Sequence, residues 1–266
     1  MAQNPMFNEA AFERAKQEQS RPSAQEEREL RAKDLSPRYR AQAGNQAMTL
    51  QGTINKTFIL LALCVAGGYI GWLKGATLGP SAWLILLLGA FGVAIWTSFK
   101  PSVSPVTAPI YALAEGALLG MISAAYNAMY QGIVLNAVLI TGLVFAVMLF
   151  VYKTGIIKVT QGFATAVVSA TFAIAIMYLG SWIFSLFGGN ISYLVSSSPL
   201  SIGISVVVCI VAALNLMLDF QFISVMSRRG DAPKFMEWYG GFGLLVTIVW
   251  LYIEILKLLG KMNSRR

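Results

Sequence analysis

The sequence of 266 residues contains no histidine, which removes imidazole acid–base catalysis, imidazole metal ligation and imidazole pH sensing. Only two cysteines occur, Cys64 and Cys209, both inside apolar runs. They are too few for a disulfide framework and too far apart for a CxxC metal site, so they read as free thiols acting as small hydrophobes. Charge is scarce as well: 12% of residues are Asp, Glu, Lys or Arg, and 56% are hydrophobic. Soluble domains average about 25% and 45–50%, so this composition is not that of a water-soluble globule. The sequence has no GxxxxGK[ST] loop and no GxSxG motif, which excludes ATP-driven transport and gives no nucleophile–base constellation for an intramembrane enzyme.

What charge there is lies at one end. Of 32 charged residues, 15 fall within residues 1–48, eight basic and seven acidic. This arm, rich in Gln, Ala, Glu and Arg, has too little apolar surface to offset its ordering entropy and is expected to be a disordered cytoplasmic segment. It lacks the apolar core of a signal peptide, so it is expected to be retained. Its net charge of +1 argues against nucleic acid as a partner. Residues 49–262 form the expected membrane domain, and residues 263–266 a short basic tail.

A bilayer core about 30 Å thick needs about 20 apolar residues as helix. Seven such segments run from Phe58 to Leu73, Ala82 to Phe99, Val106 to Tyr126, Ile133 to Tyr152, Phe163 to Phe187, Leu200 to Met226 and Trp238 to Leu259. Gly, Pro and charge mark the breaks. The pattern predicts an all-α integral membrane protein, a bundle of seven transmembrane helices with short loops. Basic residues in the even loops, Lys100, Lys153, Lys158, Arg228, Arg229 and Lys234, outnumber Lys74 in the odd ones. By the positive-inside rule the even loops and the amino terminus are cytoplasmic. Lys257, Lys261, Arg265 and Arg266 at the carboxyl end oppose that assignment, unless the last segment is re-entrant. Gly67, Gly71 and Gly75, and Gly116 with Gly120, recur at four-residue spacing, which puts bare backbone on one helix face for close approach in lipid.

Three acids, Glu115, Asp219 and Glu254, lie within the apolar spans. A carboxylate at bilayer depth costs several kcal/mol unless protonated, paired or hydrated, and no Lys or Arg stands deep in a span to pair with it. The acids are expected to face the interior, with Asn215 and Tyr252 as supporting polar groups. Counted from the cytoplasmic edges at 1.5 Å per residue, Glu115, Asp219 and Glu254 lie about 15, 14 and 20 Å deep. They are therefore expected to meet near the midplane as a proton-sensing site or an oxygen cluster for a hard cation such as calcium. The bland alternative is three unrelated carboxyls, each satisfied by a neighbour.

The seven spans, the segment Leu216-Met217-Leu218-Asp219-Phe220-Gln221-Phe222-Ile223, and the last span ending Leu251-Tyr252-Ile253-Glu254-Ile255-Leu256 together resemble the Bax inhibitor-1 (transmembrane Bax inhibitor motif) family, most closely its bacterial YccA-like branch. Ala232 to Gly240 and Tyr111 to Gly116 add to the likeness. The resemblance implies a central last helix surrounded by the other six and a pH-sensitive calcium leak in the bacterial inner (plasma) membrane. It also implies a pair of acids in spans six and seven that share a proton, onto which Asp219 and Glu254 map, with Glu in place of the usual Asp. Glu115, at a similar depth, is the candidate to complete the site. No cofactor and no enzymatic activity are expected. The competing function is a non-transporting adaptor that regulates a membrane protease or stress response through the arm.

Overall fold

A computed structural model describes residues 47–77, 79–187 and 196–265. The expectations for the arm fall outside the described residues up to residue 46, as do those for loop residues 188–195 and for Arg266. Among the described residues seven α-helices follow one another: α1 Leu50–Lys74, α2 Pro80–Phe99, α3 Ser104–Met129, α4 Ile133–Thr154, α5 Gln161–Leu186, α6 Pro199–Arg229 and α7 Met236–Asn263. Six are long and apolar enough to cross a membrane, and α2 supplies a shorter apolar stretch, Trp83–Phe99. The protein is a multi-pass membrane protein. Helix is the form that apolar runs of this length must take in lipid, because every backbone donor and acceptor then finds its partner inside the segment.

The helix ends follow local chemistry. Thr49, Thr160 and Ser198 cap α1, α5 and α6 by accepting a backbone N–H on the side-chain oxygen, as hydroxyl N-caps do. Gly155 and Gly230 close α4 and α6 with φ of 69° and 73°, a left-handed conformation that a Cβ disfavours. The largest departure from the sequence reading is at α1, which starts at Leu50 rather than near Phe58. Its first two turns carry the buried hydroxyls of Thr53 and Thr57, and both bond to carbonyls one turn back. A polar turn satisfied in this way needs no hydropathic signal to be helical.

Lipid tails are as apolar as leucine, so close backbone packing and interhelical hydrogen bonds, rather than apolar burial alone, hold helices together in a membrane. The glycine face does this between α1 and α3. A Cβ on Gly67 would strike the carbonyl of Leu113, one on Gly71 that of Ala117, one on Gly116 that of Cys64, and one on Gly120 that of Gly68. The two backbones interlock with no room for a side chain between them.

The last helix is the hub. On one side Phe242, Leu245 and Val249 of α7 pack with Leu60 and Cys64 of α1 and with Ala108, Tyr111 and Ala112 of α3. On the other, Leu251, Ile255 and Leu256 pack with Ala212, Leu216 and Phe220 of α6 and with Ile133 and Ala137 of α4. The starts of α1, α3 and α7 share one end of the bundle, where Thr49 meets Glu237 and the Ser104 hydroxyl donates to the Phe235 carbonyl at 3.0 Å. At the other end Lys261 of α7 donates to the Ser205 hydroxyl, near the start of α6, at 2.8 Å. Thus α7 runs the length of the bundle. The outward faces carry large apolar side chains such as Phe91, Phe172, Ile176 and Trp182, which meet the bilayer.

Candidate functional site

Each of the three intramembrane acids occupies its own surroundings. Asp219, on α6, is turned toward α7, where it faces the hydroxyl of Thr247. Its Oδ1 stands 3.8 Å from the position that a Cβ on Gly243 would take. Its Oδ2 is buried and has no hydrogen-bond partner among the described residues. An oxygen so placed carries nearly the full penalty of an unmade bond, and no basic residue bridges to it among the described residues.

Glu254 is only 1% exposed and is satisfied from two directions. The Tyr178 hydroxyl of α5 donates to Oε2 at 2.9 Å, and the Lys257 ammonium, one turn further along α7, donates to Oε1 at 3.0 Å. The same ammonium sits 4.7 Å from the centre of the Tyr178 ring, a cation–π contact that fixes all three groups together. The expectation that no Lys or Arg is placed to pair with these acids is therefore corrected at Glu254: the four-carbon stem of Lys257 carries its charge back along the helix.

Glu115, half-buried on α3, lies beside Cys64 of α1 and Tyr111 one turn before it. Tyr111 itself packs edge-on against Phe242 of α7, with ring centroids 5.1 Å apart.

The three acids do not meet. Among the described residues no group of three Asp, Glu or Cys side chains is arranged to hold a metal ion, so the expected oxygen cluster for calcium is absent there. Asp219 and Glu254 do not form the expected pair either. The α7 residue facing Asp219 is Gly243, and Glu254, eleven positions on, lies about 16 Å further along the helix axis. The two supporting groups are engaged elsewhere. The Asn215 amide donates to Thr171 Oγ1 at 2.8 Å and to its own helix at the Val211 carbonyl. The Tyr252 hydroxyl pairs with Ser123 at 2.6 Å. Adjacency along one helix places side chains on one face but does not say which neighbouring helix that face meets.

A fourth acid, which the apolar spans do not single out, is buried as well. Glu237, in the first turn of α7, is 1% exposed. It accepts from the Thr49 backbone N–H at 3.0 Å and from the Thr49 hydroxyl at 2.7 Å, and it pairs with Lys234 at 2.8 Å. Thr49 in turn accepts the N–H of Gly52, so one carboxylate ties the cap of α1 to the start of the central helix. The i,i+3 spacing of Lys234 and Glu237 is the signal that was available. Cys64 and Cys209 are both free thiols, as expected.

No curated protein matches the sequence. The family model described as Bax inhibitor 1 like matches residues 4–264. With seven helices, a central last helix and a buried acid on each of the last two, the chain belongs to the Bax inhibitor 1-like family, a family of non-enzymatic membrane proteins.

Proposed function

We propose that this protein is a pH-sensitive leak pathway for cations, calcium foremost, whose open population is set by the charge state of Asp219. One observation carries the reading: the carboxyl of Asp219 lies between α6 and the central α7 with a buried Oδ2 that has no hydrogen-bond partner among the described residues. An ionised carboxylate there requires water or a cation within the α6–α7 seam. Deprotonation thus draws water or a cation into the seam, and a seam held shut over a neutral carboxyl opens as pH rises. Glu254, held by Lys257 and Tyr178, acts as a separate acidic station at another level, and Glu115, beside Cys64 of α1, as one on α3, rather than as ligands of one ion.

The reading carries with it the bacterial YccA-like branch, the plasma membrane and a cytoplasmic polar arm of residues 1–48 ahead of the membrane body. The six-to-one bias of basic residues toward the even loops supports that orientation. The test is flux of Ca²⁺, K⁺ and Na⁺ into liposomes holding the purified protein across a pH series. Calcium flux that rises with pH supports the leak. An absence of flux for every cation at every pH contradicts it and favours the adaptor.

A further inference from the structure

At the end of the bundle where α3, α5 and α7 finish and α6 begins, a cavity of about 730 Å³ opens between these four helices. At ~30 Å³ of liquid per water molecule it has room for a group far larger than a single ion. Its polar lining includes as donors the ammoniums of Lys257 and Lys261 and the hydroxyls of Tyr126, Ser181 and Ser205, while the Tyr178 hydroxyl gives its proton to Glu254. No acidic residue lines it among the described residues.

Glu254 neutralises Lys257 from behind. Lys261 bonds only to neutral oxygens, Ser205 Oγ at 2.8 Å and the Ser201 carbonyl at 3.5 Å. Among the described residues it has no acidic partner, so the cavity keeps one uncompensated positive charge. The Tyr126 ring packs directly on Gly260, where a Cβ would stand 2.7 Å from its Cε1. Trp182 and three tyrosines ring the site, the residue types that settle at the level of lipid headgroups.

We propose that this cavity binds a phosphate group, carried by an anionic phospholipid headgroup or free in solution. Phosphate oxygens accept several hydrogen bonds at once, as ammonium and hydroxyl donors converging on one space require, and basic pockets between membrane helices suit anionic headgroups. The proposal does not depend on the leak.

The test is thermal unfolding of the full chain in neutral detergent, titrated with phosphatidylglycerol, with phosphatidylcholine, or with sodium phosphate against sodium chloride at equal ionic strength. Saturable stabilisation by phosphatidylglycerol at about one tenth of the concentration needed for phosphatidylcholine identifies the headgroup as the source. Saturable stabilisation by inorganic phosphate without lipid preference identifies the free anion. Either way, Lys261→Gln weakens the effect about tenfold, the weight of one charge-assisted hydrogen bond, and Lys261→Arg preserves it. Should Lys261→Gln fail to fold, Tyr126→Phe combined with Ser181→Ala leaves both charges in place and is expected to weaken binding in the same way. Equal response to both lipids together with none to phosphate overturns the proposal, as does unchanged binding in the folded variants.

Discussion

Asp219 of α6 faces Gly243 of α7, its Oδ1 3.8 Å from where a Cβ on that glycine would stand. The partner position for a second carboxyl therefore exists, but this chain fills it with a glycine and carries its acid, Glu254, about 16 Å further along the helix. Installing the missing carboxyl is a direct probe. Gly243→Asp puts two carboxyls face to face, and two such groups resist simultaneous ionisation. The midpoint of the pH response of flux is expected to move to higher pH. An unchanged midpoint in a folded variant would show that the α6–α7 seam does not sense pH.

The clamp at the start of α7 is structural. Glu237→Ala strands the Thr49 N–H and hydroxyl and leaves Lys234 without its partner, at a cost of about 1–3 kcal/mol. Thr49→Val removes both the α1 cap and the hydroxyl bond, a loss of about 1–2 kcal/mol. Unfolding by denaturing detergent, followed by circular dichroism, reads both. Because the two residues share one network, the double variant should lose less than the sum of the singles. Strict additivity would mean that the contact contributes nothing.

The interlocked glycines make a contrasting pair of substitutions. Gly120→Leu must push α1 away from α3, since even a Cβ meets the backbone of Gly68 and Trp72. It is expected to abolish monodisperse protein on size exclusion. Gly92→Ala, on α2, meets nothing within 4 Å among the described residues and should be neutral or slightly stabilising, because alanine is the better helix former. Equal behaviour of the two would remove the argument for close α1–α3 packing.

Topology follows from the course of α7. Cysteines introduced at Lys158 and Lys234 should label from one side of the membrane, and those at Lys74, Asn127 and Ser264 from the other. Labelling of Ser264 from the same side as Lys234 would mean that the last helix turns back.

The spans were legible because apolar runs of this length have one stable form in lipid, and the interlock of α1 with α3 because glycine spacing writes it directly. The register between α6 and α7 was not. The apolar run puts Glu254 about 20 Å deep, whereas α7 begins at Met236, so Glu254 lies about 27 Å from the helix start and on the far half of the bundle. Gly243, about 10 Å from that start, comes level with Asp219, about 15 Å from the end of α6 at Arg229. Hydropathy does not report where a helix begins once its first turn is polar and satisfied, as at Thr49, Thr53 and Glu237. The Lys257 bridge is hidden for a related reason: a lysine near a helix end bears on topology, and its position does not show that its stem reaches a full turn inward.

The most direct measurement compares calcium flux through the wild-type protein and Asp219→Asn in liposomes over a pH series. The substitution keeps the shape of the side chain and removes its charge. Wild-type flux is expected to rise with pH, and the variant to show one low rate throughout. A variant that folds and keeps the full pH response would contradict the assignment of Asp219 as the group that opens the pathway.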